Sequence, residues 1–439
     1  KAYRVFNADQ IEGLPAEFYI LPDPPRDLGT VADPELEAFF AATGAQIDST
    51  EEPRAYYSQL AAHIYPGHPE NIVAMTGTNG KSSTVEFLRQ IWDYAGKKAA
   101  CFGTLGVTTQ HGVTPLSHTT PDAVVLHKTL DGLAADGITH CGMEASSHGL
   151  KQFRLDAVPL SAVGFSNLTQ DHFDYHPDVE DYFIAKSRLF TELTPADASV
   201  VINVDDPYGV RLSKMCEKRG QTVTRVGWTG EDIRIDEVMP RAASQVLSLV
   251  VRGKRYTVEL PLAGEFQVLN AVSALGLAMV TGVDANTAVE ALGHMRGVAG
   301  RMERAGQTNG GAPVFVDFAH TEDGLIKLLR SVRPHTMGRI VVVFGCGGDR
   351  DPDKRAKMGA AAVEAAKAIN YEGAGTVVAA GSSPHAQALM GKVVSIVGGQ
   401  MFRTHRVMKA AMAAPLPEGA CAREGASLFI NPMTAQAFL

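Results

Sequence analysis

The stretch NIVAMTGTNGKSSTVEFLRQ, residues 71–90, leaves few folds open to this chain. Its first residues form a short apolar run. Two glycines follow within four positions, and then Val85, Leu88, Ile91, Trp92 and Ala95 recur at helical spacing. A strand, a tight turn and a helix in that order are the opening unit of a parallel α/β sheet. The turn, Gly77-Thr78-Asn79-Gly80-Lys81-Ser82, would present backbone N–H groups and the positive end of a helix to an anion. Gly77 and Gly80 allow the main chain to bend sharply, Lys81 can neutralise phosphate charge, and the Ser82 hydroxyl, with Ser83 beside it, suits Mg²⁺. Met75 stands where the pattern G-x-x-x-x-G-K-[ST] has its first glycine. Taken alone, the shortened pattern fits a phosphate cradle and a ligand-free βα turn equally well.

Residues further along the chain bear on that choice. Strands are expected at Ile72–Thr76, Thr139–Met143, Ala162–Phe165 and Ser199–Asn203, with amphipathic stretches between them. In an open sheet of this type ligands gather at the carboxyl ends of the strands. There the sequence places Glu144 with ASSHG after one strand, and SNLTQDHFDYH after another. A carboxylate and an imidazole beside a phosphate loop are what metal-assisted phosphoryl transfer needs. His172, Asp174 and His176 also have the H-x-D-x-H spacing of a transition-metal site. Mg²⁺ chemistry needs only one of them, so His176 and His148 are read as structural or substrate-lining.

At 439 residues the chain exceeds a single core. The expected division is a short leading domain over 1–70, a central nucleotide-binding domain over 71–298 and a third α/β domain over 299–439. Strands are expected in the last at Val314–Phe318, Ile340–Phe344, Thr376–Ala380 and Ser427–Ile430. A net charge of −8 argues against a general nucleic-acid or membrane binder, because a polyanion does not reward an acidic surface. The five cysteines are scattered with no C-x-x-C pair, which reads as reduced thiols in a cytoplasmic protein. No leader signal and no apolar run of bilayer length are read, so no membrane insertion is expected.

TGTNGKSS (76–83), HTTPDA (118–123), MEASSHGL (143–150), FSNLTQDHFDYH (165–176), YFIAKSRLF (182–190), GRMER (300–304), VDFAHTEDGL (316–325) and VFGCGGDRDPDKR (343–355) together resemble the Mur ligases. These are ATP-dependent amide-bond formers of peptidoglycan precursor synthesis, and their phosphate loop has the short G-T-N-G-K-[ST] form. The resemblance implies a three-domain α/β fold: a central P-loop parallel-sheet ATPase domain, a small N-terminal domain and a C-terminal Rossmann-like domain. It implies ATP on Gly77, Thr78, Asn79, Gly80, Lys81, Ser82 and Ser83, with Asn270 at adenine and Arg301, Asp317 and His320 closing from the third domain. Lys81, Glu144, His172 and Lys186 would be the catalytic set. Ser82, Glu144, His172 and a carbamylated Lys186 would hold Mg²⁺, the carbamate turning an ammonium into an anionic oxygen ligand. Within the family the motifs are most similar to members that extend UDP-N-acetylmuramoyl-L-alanyl-D-glutamate by a third amino acid. Thr119, Thr120, Ser147 and Gln152 would line the muramoyl-dipeptide pocket, and Arg350 would meet the carboxylate of the acceptor, meso-diaminopimelate. A monomer is expected.

Both ends depart from the family pattern. No serine-arginine segment that would read uridine occurs in the leading domain. The Asp-Asn-Pro-Arg and Gly-Lys-Gly-His-Glu segments of the third domain are absent, and VVAAGSSPHAQALM and SLFINPMTAQAFL occupy that part of the chain. Two other readings therefore stand beside the first: a related ligase such as folylpolyglutamate synthetase, and a non-catalytic ATP-binding scaffold.

Overall fold

The computed structural model of the chain describes residues 52–116, 118–169, 175–320, 322–336, 340–345, 353–366, 371–376, 393–398 and 413–415. Most of the expected leading domain, the expected strand Ser427–Ile430 and the site candidates His172 and Arg350 lie outside them.

The described chain begins with helix α1 (Pro53–Ile64) and enters the sheet at β1 (Asn71–Thr76). It continues through α2 (Lys81–Tyr94), β2 (Ala99–Gly103), β3 (Gly106–Thr109), β4 (Gly112–Thr114), α3 (Ala123–Ala135), β5 (His140–Glu144), α4 (Ser147–Lys151) and β6 (Ala162–Phe165). Then come α5 (Val179–Thr191), β7 (Ser199–Asn203), α6 (Pro207–Lys218), β8 (Thr222–Gly227), β9 (Ile233–Pro240), β10 (Gln245–Val251), β11 (Lys254–Leu260), α7 (Glu265–Val280) and α8 (Ala285–Leu292). The strands make one sheet in the order β11-β10-β9-β8-β7-β6-β1-β5-β2-β3-β4. Its centre is parallel: β1 lies between β5 and β6, with Met75 abreast of Glu144 and of Gly164. β5 proves to run one residue beyond expectation, so Glu144 closes the strand rather than following it.

Helices form here because their ends are capped and one face is apolar. Asp122, Asp178, Asp206 and Asp284 each accept N–H bonds from the first turn of α3, α5, α6 and α8. Two apolar cores sandwich the sheet. One joins Val73, Met75, Phe87, Leu88, Ile91 and Trp92 to α7 through Val268, Ala271, Leu275 and Ala278. The other gathers Ile72, Phe102, Leu126, Leu130, Phe165, Phe183, Leu189 and Phe190. Burying each large apolar side chain is worth roughly 2 kcal/mol. Trp92 lies at full depth, and its indole N–H donates to Thr281 Oγ1 at 2.9 Å.

The chain divides into two compact units. The first runs to Val298, and the second takes Ala299 onward together with Pro240–Ser244, the β9–β10 turn. In the second unit β12 (Glu303–Gln307) pairs antiparallel with β13 (Pro313–Val316), and helices α9 (Glu322–Val332) and α10 (Asp353–Ala366) follow. β14 (Tyr371–Thr376), β15 (Val393–Gly398) and β16 (Ala413–Pro415) form an antiparallel sheet. The expected strand Ile340–Phe344 makes no ladder. Burial still alternates along it, with Ile340 and Val342 buried and Val341 and Val343 exposed, but it lacks a paired neighbour among the described residues.

Candidate functional site

The loop after β1 is held in a shape that only glycine permits at two positions. Gly77 has φ 146° and Gly80 has φ 90°. A Cβ on Gly77 would enter Ser166 Oγ, and one on Gly80 would enter Asn270 Oδ1. The loop is braced from the end of β6. Asn167 accepts from Thr78 N through its carbonyl (2.8 Å) and from Asn79 N through Oδ1 (3.0 Å), while Ser166 Oγ donates to Asn79 O (2.6 Å). No side chain caps the start of α2, so its first amides face the loop mouth unblocked by a capping oxygen.

Two lysines converge on that loop. Lys81 Nζ curls back to donate to Gly77 O at 2.9 Å and Thr78 O at 3.0 Å. Lys186, on α5, is 1% exposed and donates to the same Gly77 O at 2.9 Å, with its Nζ 4.4 Å from the centre of the Tyr182 ring. Tyr182 in turn meets Thr78 Oγ1 through its hydroxyl, 3.3 Å away.

Glu144 is 2% exposed. Its Oε1 accepts from Thr104 N at 2.8 Å, and the absence of a side chain at Gly103 makes room for the carboxylate. No lysine or arginine pairs with it among the described residues. A buried carboxylate whose hydrogen bonds among the described residues come from Thr104 alone, through its N–H and, at 3.4 Å, its hydroxyl, suits a cation, since an uncompensated buried charge is costly. Thr119 Oγ1 lies 3.1 Å from Thr104 Oγ1, and Thr120 Oγ1 donates to Glu144 O at 2.9 Å while accepting from Ser146 N. Arg154 donates to Thr120 O and, through Nε and Nη2, to Gln152 Oε1, fixing both residues. Ser147 is buried and its hydroxyl has no partner among the described residues.

The loop leading into α5 ends in an ordered knot. His176, fully buried, donates from Nδ1 to Asp181 Oδ2 at 2.6 Å, and Lys151 donates to the same oxygen at 2.8 Å. Those two hydrogen bonds, Lys151 first, hold the Asp181 carboxyl below its ordinary pKa. His148 stacks on Tyr175 at 3.9 Å between ring centres. Among the described residues no group of three or more His, Cys, Asp or Glu side chains forms a metal site.

The structure thus brings together Gly77, Thr78, Asn79, Gly80, Lys81 and Lys186, with Asn270 packed on Gly80. It joins Glu144 to Thr119 through Thr104 and to Thr120 directly, by the Thr120 hydroxyl on the Glu144 carbonyl. Ser82 and Ser83 are buried in the first turn of α2. Arg301, Asp317 and His320 lie in the second unit, where Asp317 accepts from Met302 N (2.7 Å) and Ala319 N (2.8 Å) and His320 Nδ1 meets Phe318 O. Sequence reading missed Thr104, Arg154, Ser166, Asn167 and Tyr182. Ser166 and Asn167 carried a signal, as polar residues directly after a buried strand.

The family model for the Mur ligase middle domain matches residues 75–278, and that for the Mur ligase glutamate ligase domain matches residues 300–417. A UDP-N-acetylmuramoyl-L-alanyl-D-glutamate–2,6-diaminopimelate ligase of Chelativorans sp. is 46% identical over 331 residues, covering 75% of this chain and 67% of the relative. The chain belongs to the Mur ligase family. The enzyme of the same name from Bradyrhizobium diazoefficiens is 47% identical over 321 residues, 72% of this Mur-family chain and 66% of the relative. The chain thus spans just under two thirds of that relative's length. A solved structure of a protein with this name superposes with a TM-score of 0.61 at 32% identity, covering 73% of this chain and 65% of the other. Among the described residues no helix is long and apolar enough to cross a membrane.

Proposed function

We propose that this Mur-family chain is an ATP-dependent ligase that adds a third amino acid, meso-diaminopimelate, to UDP-N-acetylmuramoyl-L-alanyl-D-glutamate. The observation that carries the reading is the meeting of Lys81 and Lys186 on Gly77 O, beside a loop braced in left-handed glycine geometry. The names of the relatives supply the substrate class.

In this reading the loop amides and the start of α2 receive the phosphates of ATP, and Lys81 exchanges its own loop carbonyls for phosphate oxygens. Asn270, at Gly80, lies toward the adenine. Ser82, Glu144, His172 and a carbamylated Lys186 would hold Mg²⁺, which supplies charge neutralisation at the phosphates. A carbamate at Lys186 keeps one N–H, which can still donate to Gly77 O, and turns the far end of the side chain into an oxygen ligand. The donor set is chemically suited to this role: one hydroxyl, one imidazole and carboxylate-like oxygens. Arg301, Asp317 and His320 would serve the nucleotide, and Arg350 the acceptor's carboxylate, as the family resemblance implies.

Thr119, Thr120, Ser147 and Gln152 position the muramoyl dipeptide, with Arg154 holding two of them. The terminal carboxylate oxygen of the dipeptide attacks the γ-phosphorus, ADP departs, and an acyl phosphate forms. The neutral amine of the acceptor attacks the acyl carbon, inorganic phosphate leaves from the tetrahedral intermediate, and the nitrogen gives up a proton. Catalysis is positioning and charge neutralisation. A UDP-linked precursor and ATP as substrates support a cytoplasmic location.

The test is phosphate release with the UDP-muramoyl-dipeptide and diaminopimelate, lysine or no amine. Release that depends on diaminopimelate supports the proposal. Lysine-dependent release reassigns the acceptor, and the lack of any amine-dependent turnover removes the ligase reading.

A further inference from the structure

Helix α2 does more than present Lys81 to the loop. Its outward face carries Glu86, Gln90 and Tyr94, one turn apart, and each engages a neighbour. Gln90 meets the segment after α8 by both ends of its amide: Nε2 donates to Arg296 O at 3.1 Å, and Oε1 accepts from Arg296 N at 2.8 Å. The contact joins residues 206 positions apart and mimics a strand neighbour at a place where no strand exists.

The amide has a fixed orientation. Gln90 Nε2 also donates to Glu86 Oε1 at 3.1 Å, and a carboxylate can only accept, so the NH₂ end must face Glu86 and Arg296 O. Glu86 is itself held by Arg89 through two bonds, at 2.9 and 2.5 Å. One turn further on, Tyr94 stacks on His294 at 5.0 Å.

This clamp sits two residues before the chain leaves the first unit at Val298. Met295 and Val298, flanking Arg296, are buried in the first unit's core. On the far side Gly300 already belongs to the second unit's fabric. It has φ 66°, Phe318 N donates to its carbonyl at 2.9 Å, its own N–H donates to Glu303, and a Cβ on it would enter the Phe318 ring. Between two anchored ends only the exposed Ala299 is left as free connector.

We propose that Gln90 is a positioning residue for the ligase reaction: it anchors the first-unit end of a one-residue connector to the helix that carries the phosphate loop. This role rests on the ligase reading. Arg301 follows the connector two residues on, and Met302, whose N–H donates to Asp317, comes next, so a fixed backbone at Arg296 steadies the chain that leads into both. Pro240–Ser244, between β9 and β10, also belongs to the second unit, so the connector is one of three places where the chain passes between the units.

The test uses the full chain with Gln90→Met, which keeps helix propensity and length but neither polar end, and Tyr94→Phe as a control on the same face. Hydrogen exchange of a peptide covering residues 296–300, nucleotide affinity, and kcat against KM for ATP are measured. In Gln90→Met, exchange is expected to speed up about tenfold and kcat to fall about tenfold, the scale of losing two ordinary hydrogen bonds at a partly exposed place. Nucleotide Kd, carried in the proposed reading mainly by the phosphate loop, which the variant leaves intact, stays within about twofold, and Tyr94→Phe behaves as the unaltered protein. Unchanged exchange, faster exchange with unchanged kcat, a parallel loss of nucleotide affinity, or an equal defect in Tyr94→Phe would each overturn the proposal. If the unaltered chain shows no amine-dependent turnover, the ligase reading fails separately. The clamp is then judged by nucleotide-dependent protection of residues 296–300: its loss in Gln90→Met supports the anchor, and its persistence or its absence from the unaltered chain overturns it.

Discussion

Lys81 and Lys186 donate to one oxygen, the carbonyl of Gly77, each from 2.9 Å. One lysine opens the helix of the phosphate loop and the other lies buried on a helix more than a hundred residues later. Both side chains are thereby drawn to the same turn of the loop. Each lysine can be tested by itself.

Lys81→Met removes a charge-assisted contact to phosphate, the class of bond worth about 1.5–3 kcal/mol. Affinity for a non-hydrolysable ATP analogue, read by calorimetry in the presence of Mg²⁺, is expected to fall roughly 10- to 100-fold. Thermal stability without nucleotide should change little, since the ammonium of Lys81 donates to carbonyls of its own loop. An unchanged affinity would show that the loop does not hold phosphates.

Lys186→Ala separates a carbamate from a structural lysine. If an oxygen ligand is required, turnover is expected to drop by about a hundredfold or more, the scale for losing a metal-supporting group. Added short carboxylates should then restore part of it. A buried structural lysine predicts instead loss of folding stability with no rescue. Activity assays with acetate or formate, paired with thermal melts, tell the two apart.

Gly80→Ala tests the loop's shape. A Cβ at φ 90° is strained and meets Asn270 Oδ1, so a cost of about 1–3 kcal/mol is expected. Because the loop would have to move from Asn270, ATP affinity should fall along with the melting temperature. Retained affinity with a normal melt would mean that the left-handed turn is not required.

How much of the site could be read in advance depends on range. Gly77, Gly80, Lys81 and the central strands were legible because local pattern determines them: an apolar run, a turn that demands positive φ, and helical spacing. Glu144 was legible as a carboxylate at a strand end. Thr104, Asn167 and Gln90 were not, because their roles rest on contacts 40, 88 and 206 positions away. Arg154 looked like any surface arginine until the fold set it against Thr120 and Gln152. The β10–β11 hairpin was also missed, since QVLSLVV carries apolar residues on both faces and mixes the strand and helix signals.

Acid should destabilise the first unit in a window set by two buried histidines. Desolvation holds His127 and His140 below the ordinary imidazole pKa of about 6.5. Above that value neither folded nor unfolded chain binds the proton, and stability is level. As pH falls below it, the unfolded chain takes up protons that the folded one refuses, so stability declines until the depressed folded pKa values are reached. The lowered Asp181 carboxyl adds a loss in the same direction at lower pH, while Asp93, raised by burial, opposes it. His140 packs edge-on against Trp92, 5.1 Å between ring centres, so tryptophan fluorescence reports unfolding close to the titrating group. The urea midpoint is expected to drop between about pH 7 and pH 5, and His140→Gln, which cannot take up that proton, should flatten the dependence. A midpoint that stays level across this range, or a slope that His140→Gln leaves untouched, would show that the buried imidazoles are not the source of acid sensitivity.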